Sequence, residues 1–162
     1  MTVNITITYA SIIAELRSQL ALYGKRATDK QGNSAFSRVT ISTKEEPALK
    51  TYISQGVDNA VADIQQFVEN YTSTSTQIKF DVINTRWKTP NEEFKDTFTN
   101  VLNAYIVAYA LFEYLAQAHP EAAQKLSADA QTRINALHRL MFYKYPPSES
   151  NADYNSIQGT VG

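Results

Sequence analysis

The side chains best suited to acid–base chemistry in this chain of 162 residues are two histidines and two pairs of adjacent glutamates. His119 precedes a proline at a predicted helix junction, which is typical of a capping position, and His138 lies beside Arg139 on a predicted helix surface. Either histidine would need a carboxylate from another helix to act as a general base. Two histidines alone do not make a zinc site, and the chain has no cysteine, which excludes disulfides and thiolate chemistry.

The two glutamate pairs, Glu45-Glu46 and Glu92-Glu93, both fall in the first turns of predicted helices. The positive end of the helix dipole stabilises acidic side chains there, which accounts for both pairs without catalysis. The sequence contains no Gly-rich phosphate loop, no GxSxG motif and no HExxH motif. We therefore expect no catalytic residue, no cofactor and no metal site.

Composition and charge argue against a nucleic-acid-binding or membrane-spanning protein. The chain has 15 basic and 16 acidic residues and a formal net charge of −1, whereas a grip on nucleic acid needs a concentrated basic face. No run reaches the roughly 18 apolar residues of a membrane span, and the start MTVNITITY lacks the basic region of a signal peptide. The only clustered basic residues form two loose groups, for which a solvated surface is favoured: Lys25, Arg26 and Lys30, then Arg133, Arg139 and Lys144.

Two segments alternate between polar and apolar residues in the manner of β-strands. In the N-terminal segment 1–8, valine and isoleucine alternate with threonine and asparagine, which predicts an extended segment or a short edge strand. Gln77–Asn84 alternates in the same way and predicts a strand with one solvated face. A shorter strand at Phe36–Ile41 is a candidate partner for it.

Helical spacing of apolar residues dominates the rest of the chain and predicts four helices. Their approximate bounds are Tyr9–Tyr23, Glu45–Tyr71, Pro90–Ala118 and a fourth helix from Pro120 to before Pro146-Pro147. Hydrophobic residues make up 43% and charged residues 19%, which is typical of a globular chain. We expect a mainly α fold: a bundle of about four helices with a short β-strand or hairpin element and extended termini. Residues 1–147 would form a single domain, and 148–162 an extended C-terminal tail.

The third helix contains the stretch Asn103–Ala116, NAYIVAYALFEYLA, with one formal charge in fourteen residues. Such a wide apolar arc is typical of the central helix of a bundle, and it also suits a helix with one side against another subunit. Tyrosine fits the second role because its ring is apolar and its hydroxyl forms hydrogen bonds. The polar tail has little to bury alone, so we expect a neighbour to hold it. The candidate subunit-interface residues are Tyr105, Tyr109, Tyr114, Trp87, Tyr154 and Ile157.

The order of these segments resembles the small helical head–tail connector proteins, also called adaptor or ring proteins, of tailed bacteriophages. The resemblance covers most of residues 40–147 and is one of order, length and texture. It is carried by TKEEPALKTYISQGVDNAVADIQQFV, QIKFDVIN, VLNAYIVAYALFEYLA and LHRLMFYKYPP. It implies a mostly helical, non-enzymatic subunit that is made in the host cytoplasm and forms a ring, typically of twelve copies, in the virion neck. DNA would pass through the lumen between portal and tail without sequence-specific binding.

Three other classes stay open on the sequence. The chain could be another phage structural protein, such as a tail-completion or minor capsid protein, and its gene neighbourhood would separate that from a connector. A cellular helical binding module would be a monomer or dimer with a concave pocket. An enzyme would need a pocket that joins His119 or His138 to carboxylates of another helix.

Overall fold

The computed structural model describes residues 1–26, 41–86, 89–116 and 119–142. Within these ranges the chain forms four helices and one three-stranded antiparallel sheet, so the predicted mainly α class with a short β element is confirmed. A single 3-10 turn, Gln65–Phe67, separates the second helix from the second strand. In chain order the elements are β1 (Thr2–Thr8), α1 (Tyr9–Arg26), α2 (Glu46–Asp63), β2 (Val68–Ser73), β3 (Gln77–Ile83), α3 (Asn91–Ala116) and α4 (Pro120–Phe142).

The second helix ends earlier than its periodicity predicts. The sequence indicates a helix from Glu45 to Tyr71, but α2 ends at Asp63 and the chain enters β2 five residues later. Apolar residues keep their helical spacing through this region, but they do not form a helical stripe. The ring of Phe67 instead packs edge-on against Phe142, with centroids 5.0 Å apart. Pairing of β2 with β3 then satisfies the backbone, a contact that local spacing does not reveal.

The sheet has the order β1-β3-β2, with β3 in the centre. Ile5 of β1 lies opposite Phe80 of β3, and the remaining pairs of this ladder follow without a bulge. Within the described residues, β1 and β2 occupy the two sides of β3, the strand for which the sequence offers Phe36–Ile41 as a candidate partner. Residues 36–40 themselves lie outside the described ranges.

One face of the sheet is buried against the helices and the other is solvated. The burial of β1 alternates residue by residue, as its sequence predicts, and the N-terminal segment is an edge strand. Phe80 at the centre of the sheet meets Phe98 of α3, with ring centroids 6.3 Å apart. The inward side chains, all buried, are Val3, Ile5, Ile7, Ile78, Phe80 and Val82.

Helix α3 is the central element of the molecule. It contacts α1, α2, α4 and β1, and four consecutive residues that point to different sides of the helix are all buried: Tyr105, Ile106, Val107 and Ala108. The wide apolar arc of α3 is therefore covered largely by the chain's own elements. Helix α4 begins at Pro120, as predicted, and packs along α3 more extensively than any other helix.

Candidate subunit-interaction surface

Two of the tyrosines predicted at a subunit interface lie instead between α3 and α2. Tyr105 is only 5% exposed, and its ring centroid is 6.0 Å from that of Tyr109. Tyr109 is half-buried and rests on Gly56 of α2, where an added Cβ would lie 3.1 Å from Tyr109 Cδ1. The side chain of Asn59, one turn further along α2, hydrogen-bonds to both tyrosines. Gly56 thus lets the two helices approach closely enough for the tyrosines to fill the space between them.

The electrostatic surroundings keep these two hydroxyls protonated. Burial is the main cause that raises the pKa of Tyr105 and of Tyr109. A neighbouring negative charge opposes ionisation as well, from Glu113 in the case of Tyr109. Both hydroxyls are therefore hydrogen-bond donors at neutral pH.

The third tyrosine, Tyr114, ties the C-terminal part of α3 to the turn that begins α2. Its hydroxyl donates to Glu45 Oε1 at 3.0 Å. The other carboxylate oxygen of Glu45 accepts the backbone N–H of Ser42 at 2.7 Å and the Ser42 hydroxyl at 2.9 Å. These bonds, with those from Ser42 the largest, lower the pKa of Glu45. We call this contact, formed by Tyr105, Tyr109 and Tyr114 with Gly56, Asn59 and Glu45, the tyrosine seam.

The other three predicted interface residues, Trp87, Tyr154 and Ile157, lie outside the described residues. Subunit contact through any of the six stays a prediction. Within the chain, the three described ones already have partners on α2 or just before it.

Sequence reasoning did not single out the outer edge of β1 as a site. The backbone carbonyl of Met1 accepts the N–H of Asn84 at 2.8 Å, and the N–H of Tyr9 donates to the carbonyl of Thr76 at 3.1 Å. In an antiparallel ladder, hydrogen-bonded pairs alternate, so the odd-numbered residues of β1 face β3. The even-numbered residues direct their backbone N–H and C=O groups away from β3, and among the described residues no strand pairs with that side.

A polar groove runs beside this edge, between β1 and the solvated side of α3. Its volume is about 330 Å³. On the exposed face of the sheet, the amide of Asn4 donates to Asp81 Oδ1 at 2.9 Å and the amide of Asn70 to Asp81 Oδ2 at 3.0 Å. Those two bonds lower the pKa of Asp81 and link all three strands. The residues lining the groove, which we call the edge groove, are Asn4, Thr6, Lys95, Asp96, Thr99 and Asn100.

A second groove of about 400 Å³ lies over α3 between α1 and α4. Its lining includes apolar residues of α3, while Glu15 and Arg133 contribute charge. The Oδ1 atom of Asn103 is buried there and has no hydrogen-bond partner among the described residues. We call this concavity the helix groove.

The titratable residues His138 and Glu46, for which the sequence predicts no catalytic role, contact other side chains of the chain. His138 stacks on Phe142 with ring centroids 4.0 Å apart, and Glu46 pairs with Arg17 at 2.6 Å. In the ranges that the structure describes, no group of three or more His, Asp or Glu residues is arranged to hold a metal ion. No described helix is both long and apolar enough to cross a membrane.

Comparison of the chain with protein-family models, with curated proteins and with solved structures gave no match. The class of protein therefore has to be argued from the fold and from its surfaces.

Proposed function

We propose that this chain is a non-enzymatic structural subunit of a tailed-phage virion, a head–tail connector of the neck. Copies of it assemble into a ring that bridges the portal and the tail, and DNA passes through the lumen without sequence-specific contacts. The partners are further copies of the chain, the portal protein and a tail or neck protein.

The order of elements is the observation that carries the proposal. A helix with proline in its first turn (α2), an alternating strand (β3), a long apolar central helix (α3) and a closing helix (α4) follow one another in the order that resembles connector proteins. Strand β2, which pairs with β3, is added between α2 and β3 and leaves that order unchanged.

The surface chemistry of the described residues supports assembly rather than catalysis. Three of the side chains that could do chemistry have structural contacts: His138 stacks on Phe142, Glu46 pairs with Arg17 and Glu45 accepts from Ser42. The helix groove and the edge groove are both open and are lined by polar and apolar atoms. An open strand edge beside a polar groove is a surface that protein segments bind through their backbone.

The test is the mass and shape of the purified full-length particle. Size-exclusion chromatography with light scattering should give a mass close to twelve times that of one chain, and negative-stain images should show rings with a central opening. A tagged chain should also retain portal protein from the same phage genome. A strictly monomeric chain at high concentration that binds neither portal nor tail protein would contradict the proposal.

The helix groove favours one second candidate, a helical protein-binding module. Its apolar floor and the buried Asn103 Oδ1 would suit an amphipathic helix that supplies a hydrogen-bond donor. That function requires a monomer or dimer in solution, and Gln19→Trp, which places a large ring on the exposed wall of the groove, would abolish binding of the partner. The same substitution would leave a neck ring free to assemble.

A further inference from the structure

We infer that the outer edge of β1 binds the C-terminal segment 148–162 of a neighbouring copy as a fourth, antiparallel strand. The inference rests on the proposed function, because it names the contact through which successive subunits of a ring would hold one another. It concerns a segment outside the described residues and an acceptor site within them.

The acceptor presents backbone groups that need partners. Thr2, Asn4 and Thr6 direct their N–H and C=O groups outward, because the odd-numbered residues form the bonds to β3. A strand added to a sheet edge gains affinity from these main-chain hydrogen bonds, whatever its exact side chains. The edge of β1 is seven residues long and offers this pattern without interruption.

The two edges of the sheet are protected to different degrees. The β2 edge carries Glu69 and a register shift between Glu69 and Thr72, where Asn70 adopts a φ of 53°. Bulges and charges of this kind discourage the addition of a strand. The β1 sequence TVNITIT has no charge, no proline and no bulge, so it lacks the devices that prevent strand addition.

The edge groove provides room and suitable chemistry beside the open backbone. It borders Asn4 and Thr6 on one side and the solvated side of α3 on the other. Lys95 and Asp96 cancel in charge, and Thr99 and Asn100 can donate or accept hydrogen bonds. The groove therefore suits an extended segment that is polar and nearly uncharged.

The C-terminal segment matches that description. Residues 154–161, YNSIQGTV, include no charged side chain and alternate in places between polar and apolar residues. Twenty residues follow Phe142, the last residue of α4, and at about 3.3 Å per residue they reach about 66 Å when extended. A strand as long as β1 uses seven of these residues and leaves thirteen, about 43 Å when extended, to reach a neighbour.

The position of the end of α4 favours a neighbour's segment over the chain's own. Arg86 Nε donates to the carbonyl of Leu140 at 3.3 Å, and Asn84 bonds to Met1 at the start of β1. A chain that leaves α4 here and follows its own β1 by the direct route would run parallel to it. Both existing pairings in the sheet are antiparallel, and purely antiparallel sheets are favoured over mixed ones. A segment from a second copy can enter from the opposite end and keep that order.

Cross-linking between single thiols tests the contact, because the chain has no cysteine of its own. Full-length Thr6→Cys and full-length Ser156→Cys are mixed under conditions that allow subunits to exchange and are treated with a short bismaleimide. We expect a product of two-chain mass that neither variant gives alone. Ser73→Cys on the β2 edge, mixed with Ser156→Cys, is the matched control and should give at least about fivefold less product.

Proline at the edge tests whether the backbone makes the contact. Thr6→Pro removes an outward N–H and leaves the ladder to β3 intact, whereas Thr6→Ala keeps that N–H. Assembly measured by light scattering should weaken by about fivefold or more in the proline variant relative to the alanine variant, as expected for the loss of one hydrogen bond or more. Both variants should have the same circular dichroism, which separates lost assembly from lost folding.

Several results would overturn the inference, and they differ from those that overturn the connector. A product of one-chain mass from the double variant Thr6→Cys/Ser156→Cys would mean that the chain's own tail covers the edge. A two-chain product from Thr6→Cys alone would mean that two β1 edges meet each other. Rings that form with no cross-link between the two sites would reject the strand contact and leave the connector standing. A monomer with no cross-link would reject both.

Discussion

The tyrosine seam and the outer edge of β1 are opposite kinds of surface. The seam joins α3 to α2 through large aromatic rings, and each of its hydroxyls has a hydrogen-bond partner in the same chain. The β1 edge is made of small polar residues, and half of its backbone groups point away from the sheet. The sequence suggests the seam as an interface, but in the fold its hydroxyls have partners within the chain. The sequence does not suggest the edge as a site, but in the fold no described strand pairs with it.

The difference shows that exposed apolar area and unpaired backbone groups place different demands on the rest of the chain. Apolar area on α3 can be covered by any neighbouring element, and α1, α2 and α4 are available to cover it. Backbone hydrogen-bonding groups need partners at fixed positions, and only another extended segment provides them in register. We therefore propose the edge of β1, rather than the wide apolar arc of α3, as the surface through which copies assemble.

A charge placed in the tyrosine seam should lower the free energy of unfolding more than any other change considered. Tyr109→Asp removes a ring packed on Gly56 and sets a carboxylate near Glu113, so we expect the free energy of unfolding to fall by about 3 kcal/mol. Urea denaturation followed by circular dichroism measures the loss. Tyr109→Phe, which keeps the ring, should lose less than about 1.5 kcal/mol; an equal loss in both variants would mean that the seam is not tightly packed.

Crowding the seam should have the next largest effect. Gly56→Leu places a side chain where Tyr109 already lies, since even a Cβ at this position would be 3.1 Å from its ring. We expect a cost of about 1–3 kcal/mol in the free energy of unfolding. The same substitution in a Tyr109→Ala background should cost clearly less, because the space is then free; additive costs in this double-mutant cycle would disprove the contact.

The link between the seam and the start of α2 should show a pH dependence. Bonds from Ser42 and Tyr114 lower the pKa of Glu45 in the folded chain, so their stabilisation is present above the ordinary glutamate pKa and is lost as pH falls through the lowered value. Glu45→Gln should cost about 0.5–1 kcal/mol at neutral pH. The difference in stability from the unmodified chain should shrink as the pH falls below the lowered pKa of Glu45. Glu92→Gln, in the first turn of α3, is the matched control, and equal pH profiles would refute the assignment.

Changes at the β1 edge should have the smallest effect on the folded subunit. Thr6→Ala alters an exposed side chain whose hydroxyl donates only a long bond of 3.3 Å to Asn4 Oδ1. The free energy of unfolding should change by no more than about 0.5 kcal/mol.

Deletion of residues 148–162 should likewise leave the fold intact and weaken assembly. Unfolding of the shortened chain in thermal melts would show that this segment belongs to the core of its own subunit.

The helices were predictable from the sequence because their signals are local. The regular apolar spacing, with Pro120 at the start of the last helix, places α1, α2, α3 and α4 in the right order. The alternation in Gln77–Ile83 likewise identifies β3. Local periodicity failed where a distant partner decides the structure: the residues after Asp63 keep helical spacing but pair with β3.

The candidate sites were harder to predict because they depend on what each residue meets. The sequence shows that Tyr105 and Tyr109 are apolar and able to hydrogen-bond, but not that Gly56 and Asn59 would lie opposite them. It indicates that segment 1–8 is an edge strand, but not which side of it is open. That side follows only from the register with β3.

Amide hydrogen exchange of β1, resolved to single residues, tests the open edge most directly. Measured on the full-length chain at concentrations below and above assembly, the amides of Ile5 and Ile7 should be protected throughout, because they face β3. The amides of Asn4 and Thr6 should exchange quickly in the dissociated subunit and become protected on assembly. Protection of Asn4 and Thr6 already in a monodisperse monomer, equal to that of Ile5 and Ile7, would contradict the account, since the chain's own residues would then close the edge.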